Sequence, residues 1–259
     1  VNEYLAQCLD VLRTENLLPA DALAVFVVGS AARGWTHATS DIDVVVITRS
    51  SFQSERTQPL LVPLSPDFLP VVTFSALDKR WEVKYWQDDQ VNQLYRKVTW
   101  EAFEEDETIG ERLSEVEELF LGRLLSCAVI SGDDWIARRQ RELGDSAFRS
   151  LLVMRALTEA DEAVETAIGQ MAAGDAECAV LCAREAFGWA VQAILVDQHQ
   201  YDSGVKWRPR RFRLVAPALL TFDEYWAIET MRDFDPAAPE LWVERVVDVC
   251  KRVSMEIEV

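Results

Sequence analysis

The stretch VFVVGSAARGWTHATSDIDVVVIT, residues 25–48, places two apolar runs on either side of a Gly-Ser turn and an Asp-Ile-Asp triplet. Each run is β-branched or aromatic and short, as in a buried strand: the first, 23–28, is ended by Gly29, and the second covers 41–48. Side chains alternate along a strand, so Asp41 and Asp43 share one face while Ile42 and Val44 turn to the other, into the core. Two carboxylates held close together repel and resist joint ionisation unless a cation lies between them. Magnesium suits such a hard oxygen site, completed by water and substrate phosphates.

Gly29 and Ser30 point to the same chemistry. A glycine ending a strand lets backbone approach a ligand closely, and a helix start behind it offers amide N–H groups to an anion. The Ser30 hydroxyl can donate to a phosphate oxygen, and Arg33 adds charge at that mouth or points into solvent. A site with two metal ions calls for a third carboxylate. Glu82, in the alternating run RWEVKYW at 80–86, is the candidate. Lys84 falls on the same strand face as Glu82, so a structural ion pair is the competing reading. For the aspartates the plainer alternative is surface acids around a loop, which leaves Asp43 inside DIDVVVI unexplained.

Outward from this stretch, residues 3–16 have a helical rhythm, 69–75 read as a third strand, and 88–100 turn helical. A longer helix is expected over 109–129. After a break at SGDDW the strand signals largely stop, and 135–143, 147–173, 175–199, 221–233 and 239–257 read as helices. The expected fold is therefore α+β: a mixed sheet with flanking helices over residues 1–142, then an α-helical bundle over 143–259.

The composition narrows the functions. With 259 residues, nearly half of them hydrophobic, the chain can bury a substantial core. A formal net charge of −18 argues against a broad grip on nucleic-acid backbones, and against a polymerase or tailing enzyme. It suits a cationic small molecule, or a nucleotide arriving with metal ions; keeping the protein soluble explains it equally well. The five cysteines have no metal-site spacing and read as free buried thiols of a reducing cytoplasm. No apolar stretch reads as membrane-spanning and the first residues lack a signal-peptide layout, so a cytoplasmic location is expected. The two histidines, His37 and His199, form no metal pair by sequence.

Gly29-Ser30, then Asp41-Ile42-Asp43, then a strand acid at Glu82 resembles the DNA polymerase β-type nucleotidyltransferase superfamily, over about residues 23–86. The Arg33-Gly34 pair is similar to minimal nucleotidyltransferases of toxin–antitoxin pairs. The length and helical second half are similar in layout to two-domain aminoglycoside adenylyltransferases. The resemblance implies transfer of a nucleoside monophosphate, with ATP the default donor, to an acceptor hydroxyl with release of pyrophosphate. It implies that Asp41 and Asp43 bind two magnesium ions and that Glu82 completes the site nearest the acceptor, where it can also take the hydroxyl proton. Gly29 and Ser30 would hold the terminal phosphates, and an aminoglycoside-type antibiotic is the most specific acceptor the layout suggests. In such relatives the second domain helps bind the acceptor. Here the segment GVKWRPRRFR, 204–213, reads as a basic loop. Lys206 leads its residues as a triphosphate contact; a solvated positive loop is the alternative. A different class of function remains open, an antitoxin-like or regulatory protein of the same fold that binds or nucleotidylates a protein partner.

Overall fold

A computed structural model describes residues 3–105 and 113–259. The chain divides into two compact units, 1–147 and 148–259. The division expected after residue 142 falls inside the helix Asp133–Gly144.

The first unit is built on a six-stranded mixed sheet. In chain order it contains α1 (Glu3–Thr14), β1 (Ala22–Val28), the single-turn α2 (Gly29–Ala32), β2 (Ile42–Thr48), β3 (Gln58–Leu61), β4 (Phe68–Ala76) and β5 (Lys79–Gln87). There follow α3 (Asp88–Lys97), α4 (Trp100–Glu105), α5 (Glu115–Leu125), β6 (Ala128–Ser131) and α6 (Asp133–Gly144). The strands lie in the order β3-β4-β5-β2-β1-β6. β2 and β5 pair in parallel, and every other pairing is antiparallel.

Period-two alternation decides what each face of the sheet carries. Val25 and Val27, Ile42, Val44 and Val46, Trp81, Val83 and Tyr85 form one apolar face, which is buried with Cys8, Val11 and Leu12 of α1. On the opposite face Phe26 and Trp86 meet Phe120 of α5, with ring centroids 6.5 and 4.2 Å apart. Asp43, Glu82 and Lys84 alternate onto this second face, where α5 lies. The apolar part of the face thus anchors α5, and its charged end is left at the leading edges of β2 and β5.

The structure departs from the sequence reading of this unit in the extent of one helix and in one added strand. The start of the helix expected over 109–129, residues 109–112, lies outside the described residues. The helix that is described begins at Glu115, behind a capping box in which Ser114 Oγ accepts from Glu117 N and Glu117 Oε2 accepts from Ser114 N. It also stops earlier than expected. Residues 128–131 leave the helix to pair with the free edge of β1, a non-local partner that local periodicity does not reveal. Finally, β3 is a strand with no sequence signal. It contains Pro59 and tolerates it because it is the sheet's outer strand.

The second unit is helical, with α7 (Phe148–Ala172), α8 (Ala176–Asp197), α9 (Arg208–Val215), α10 (Phe222–Glu229) and α11 (Pro239–Glu256). The expected basic loop is in fact a 3-10 turn, Val205–Trp207, leading into α9. Pro209 sits in the first turn of α9, where its missing N–H costs no helical bond. Contrary to the reading that no segment is apolar enough, α8 is long and apolar enough to cross a membrane. It is largely buried inside the protein, as expected of a core helix that is apolar on most of its surface. The cysteines are free, but only Cys8 and Cys250 are fully buried, and Cys178 is exposed.

Candidate active site

The site begins where β1 and β2 run side by side. Val28, the last residue of β1, pairs with Asp43 of β2, and Asp43 in turn pairs in parallel register with Glu82 of β5. One row of the sheet therefore brings the Gly-Ser turn, the second aspartate and the later glutamate together. They are 14 and 39 residues apart in sequence by subtraction of their numbers.

At Gly29 the backbone adopts φ +66°, and a Cβ there would stand 2.8 Å from Asp43 Oδ2. Glycine is needed twice over, for the left-handed conformation and for the close approach to the carboxylate. Gly29→Ala is expected to cost about 1–2 kcal/mol from the backbone conformation and to push the Asp43 carboxylate out of place. A lowered melting temperature together with weakened nucleotide binding would show both effects. An alanine variant that matched the wild type in both would refute the close approach.

Asp43 is largely buried, and burial, the largest influence, raises its pKa above the ordinary carboxylate value. The charges of Arg123 and Lys84 pull it down, while those of Glu82 and Asp41 push it up. The environment thus leaves the ionised carboxylate short of positive charge even with two cations nearby. Asp41 stands one residue before β2 starts, with its side chain 45% exposed and its carboxylate 3.9 Å from the Arg80 guanidinium. Glu82 accepts from the Lys84 ammonium at 2.6 Å.

Arg123 is the residue that sequence reasoning missed. Its guanidinium stands 4.0 Å from the position a Cβ would take at Gly29. Its Nε is buried without a hydrogen-bond partner among the described residues. It comes from α5, one turn beyond Phe120, and no motif marks it; only the packing of α5 on the sheet brings it to Asp43.

The loop leading to the aspartates is held by hydrogen bonds. Lys79 Nζ donates to the carbonyls of His37 and Ala38 at 3.0 and 2.6 Å, and the His37 amide donates to Ser40 Oγ at 2.9 Å. The His37 ring meets Thr39 Oγ1. Ser30 lies in the single turn of α2 and is half-buried. Arg33 donates to Ser126 Oγ at 3.4 Å and lies 5.1 Å from the centre of the Trp35 ring. Lys206 belongs to the second unit, where its ammonium lies 4.9 Å from the centre of the Trp207 ring. His199, also in the second unit, meets the Tyr201 hydroxyl at 2.8 Å.

The donor set fits magnesium in kind: hard carboxylate oxygens on neighbouring strands, around a buried aspartate whose negative charge is incompletely offset. The side chains are not drawn together as the sequence suggested. Among the described residues, no group of three or more His, Cys, Asp or Glu is gathered to hold a metal ion. Glu82 is instead paired with Lys84, and Asp41 stands 3.9 Å from Arg80.

Comparison with known proteins shows what this geometry is similar to. No curated protein matches the chain in sequence. The crystal structure of a nucleotidyltransferase-like protein from Exiguobacterium sibiricum 255-15 shares the fold at 9% identity and a TM-score of 0.50, covering 96% of this chain and 74% of that one. Residues 5–119 match the nucleotidyltransferase domain family, a span that contains the Gly-Ser turn, both aspartates and Glu82. The N-terminal part of the chain is thus similar to a nucleotidyltransferase domain, a likeness that supports nucleotidyl transfer in general terms.

Proposed function

We propose that this chain moves a nucleoside monophosphate, AMP from ATP, to a hydroxyl of a small-molecule acceptor and releases pyrophosphate. The observation that carries the reading is the row Val28–Asp43–Glu82, which sets two acids beside a glycine turn where a Cβ would crowd the Asp43 carboxylate. Asp43 and Glu82, with Asp41 at the edge, would hold magnesium. When bound there, magnesium supplies Lewis-acid stabilisation to the attacking and departing oxygens of an in-line displacement. The Gly29 backbone and Ser30 hold the terminal phosphates through N–H and O–H donors. Glu82 would accept the acceptor's hydroxyl proton, and Arg123 adds positive charge beside the turn. The net charge of −18 favours a cationic acceptor by long-range attraction, which supports an aminoglycoside-type molecule.

A second reading has its own observation. The ion pairs at Glu82 and Asp41 leave the acids partly neutralised from within, as suits a nucleotidyltransferase-fold protein that binds a protein partner without turnover. Labelled nucleoside triphosphates and magnesium, offered with aminoglycosides, small RNAs and purified proteins, separate the two. Pyrophosphate release with ATP and a polycationic small molecule is the expected result. Triphosphate binding without turnover on any acceptor favours the second reading, and absence of triphosphate binding overturns the first.

A further inference from the structure

A lysine two positions along β5 from the carboxylate row bears on how a metal ion enters. Lys84 lies two residues after Glu82 on β5, on the same face, and its ammonium is 2.6 Å from Glu82 Oε1. In register it stands opposite Val45 of β2 and Val71 of β4, so its aliphatic stem runs along apolar neighbours. The pair is largely shielded, with side-chain exposures of 24% and 29%, and is less weakened by solvent than an open surface pair. Its charge also acts on Asp43. A divalent ion approaching Glu82 and Asp43 therefore meets an ammonium already in place, which must be moved or tolerated at close range.

We propose that Lys84 is a built-in counter-cation that closes this carboxylate site to free divalent ions, so that metal enters only with a polyphosphate able to take over the lysine's charge. The inference rests on the metal-binding reading of Asp41, Asp43 and Glu82 given above. Lysine suits this role because its ammonium is a compact charge on a flexible stem with three donors, and it moves from a carboxylate to a phosphate oxygen without rebuilding the strand. Lys84 is thus a positioning residue. It holds Glu82 ready in the empty protein and gives it up when the phosphates of the donor nucleotide arrive. The device also reconciles two observations, acids of the right chemistry and, among the described residues, no cluster of three of them.

The test is equilibrium dialysis of Mn2+ against the full chain, with and without a non-hydrolysable ATP analogue, for wild type, Lys84→Met, Lys84→Gln and Lys84→Arg. Without nucleotide, Lys84→Met and Lys84→Gln are expected to bind Mn2+ at least about tenfold more tightly than wild type, as removal of a close like charge requires. Lys84→Arg, which keeps the charge, is expected to stay near wild type. With the analogue present the difference is expected to close. Equal Mn2+ affinity in wild type and both neutral variants, where the wild type does bind the ion with nucleotide, overturns the role of Lys84 and leaves the site reading standing. No Mn2+ retained by any of the four chains under either condition overturns the site reading, and this inference with it.

Discussion

Asp43→Asn is expected to lower nucleotidyl transfer by roughly a hundredfold to a thousandfold while raising the thermal stability of the domain. The first effect follows from position: Asp43 joins the Gly29 turn to Glu82 in one row of the sheet, and an amide keeps the shape but loses the charge. The second follows from the direction of its pKa, which burial raises above the ordinary value. An acid whose folded pKa is raised holds its proton more tightly when folded. Its ionised form therefore costs stability, a cost absent well below the unfolded pKa, growing as pH rises toward the folded value and constant above it. At neutral pH the asparagine variant escapes that cost. Its melting temperature is expected to exceed that of wild type, with the gap shrinking as the buffer is acidified into the ordinary carboxylate range. Thermal melts at a series of pH values, alongside a pyrophosphate-release assay, check both halves. A variant that transfers at the wild-type rate would remove Asp43 from the site, and one that melts lower at neutral pH would show that Arg123 and Lys84 more than offset the burial.

Gly132→Ala is expected to destabilise the same domain by about 3 kcal/mol or more, a loss of roughly 10 °C in melting temperature. Gly132 follows β6 and caps α6 with φ +84°. A Cβ there would lie 2.3 Å from the Leu23 carbonyl oxygen and 2.6 Å from Ala24 Cα. Both are backbone atoms of β1, so the clash is relieved only by moving the strand that leads to the Gly-Ser turn. Gly144→Ala, at a glycine with no heavy atom within 4 Å of an added Cβ, is the control expected to melt near wild type. Equal melting of the two variants would mean that β6 and β1 do not approach as described.

How much of this was readable beforehand varies with the range of the interaction that decides it. The strands around residues 25–48 and 80–86 are legible because alternation and β-branching are local, and so are the long helices of the second unit. β6 is not legible: AVIS follows a helical stretch, and only the open edge of β1 makes it a strand. The helix at 208–215 was hidden by a proline and by crowded cations that read as loop composition. Arg123 was hidden more deeply, since it lies 80 residues after Asp43 by number and reaches it only through the packing of Phe120 on Phe26 and Trp86.

From its sequence this chain determined which residue types face which way: a glycine at a strand end, acids alternating out of an apolar run, a lysine two residues from a glutamate. Those facts follow from the two-residue period of an extended chain and need no partner. Which of these groups meet was decided by the tertiary structure. The parallel pairing of β2 with β5 sets Asp43 beside Glu82, and α5 brings a cation to Asp43. Register between strands and the seat of a helix on a sheet come from contacts distant in the chain, and there the balance of charge at this site is settled.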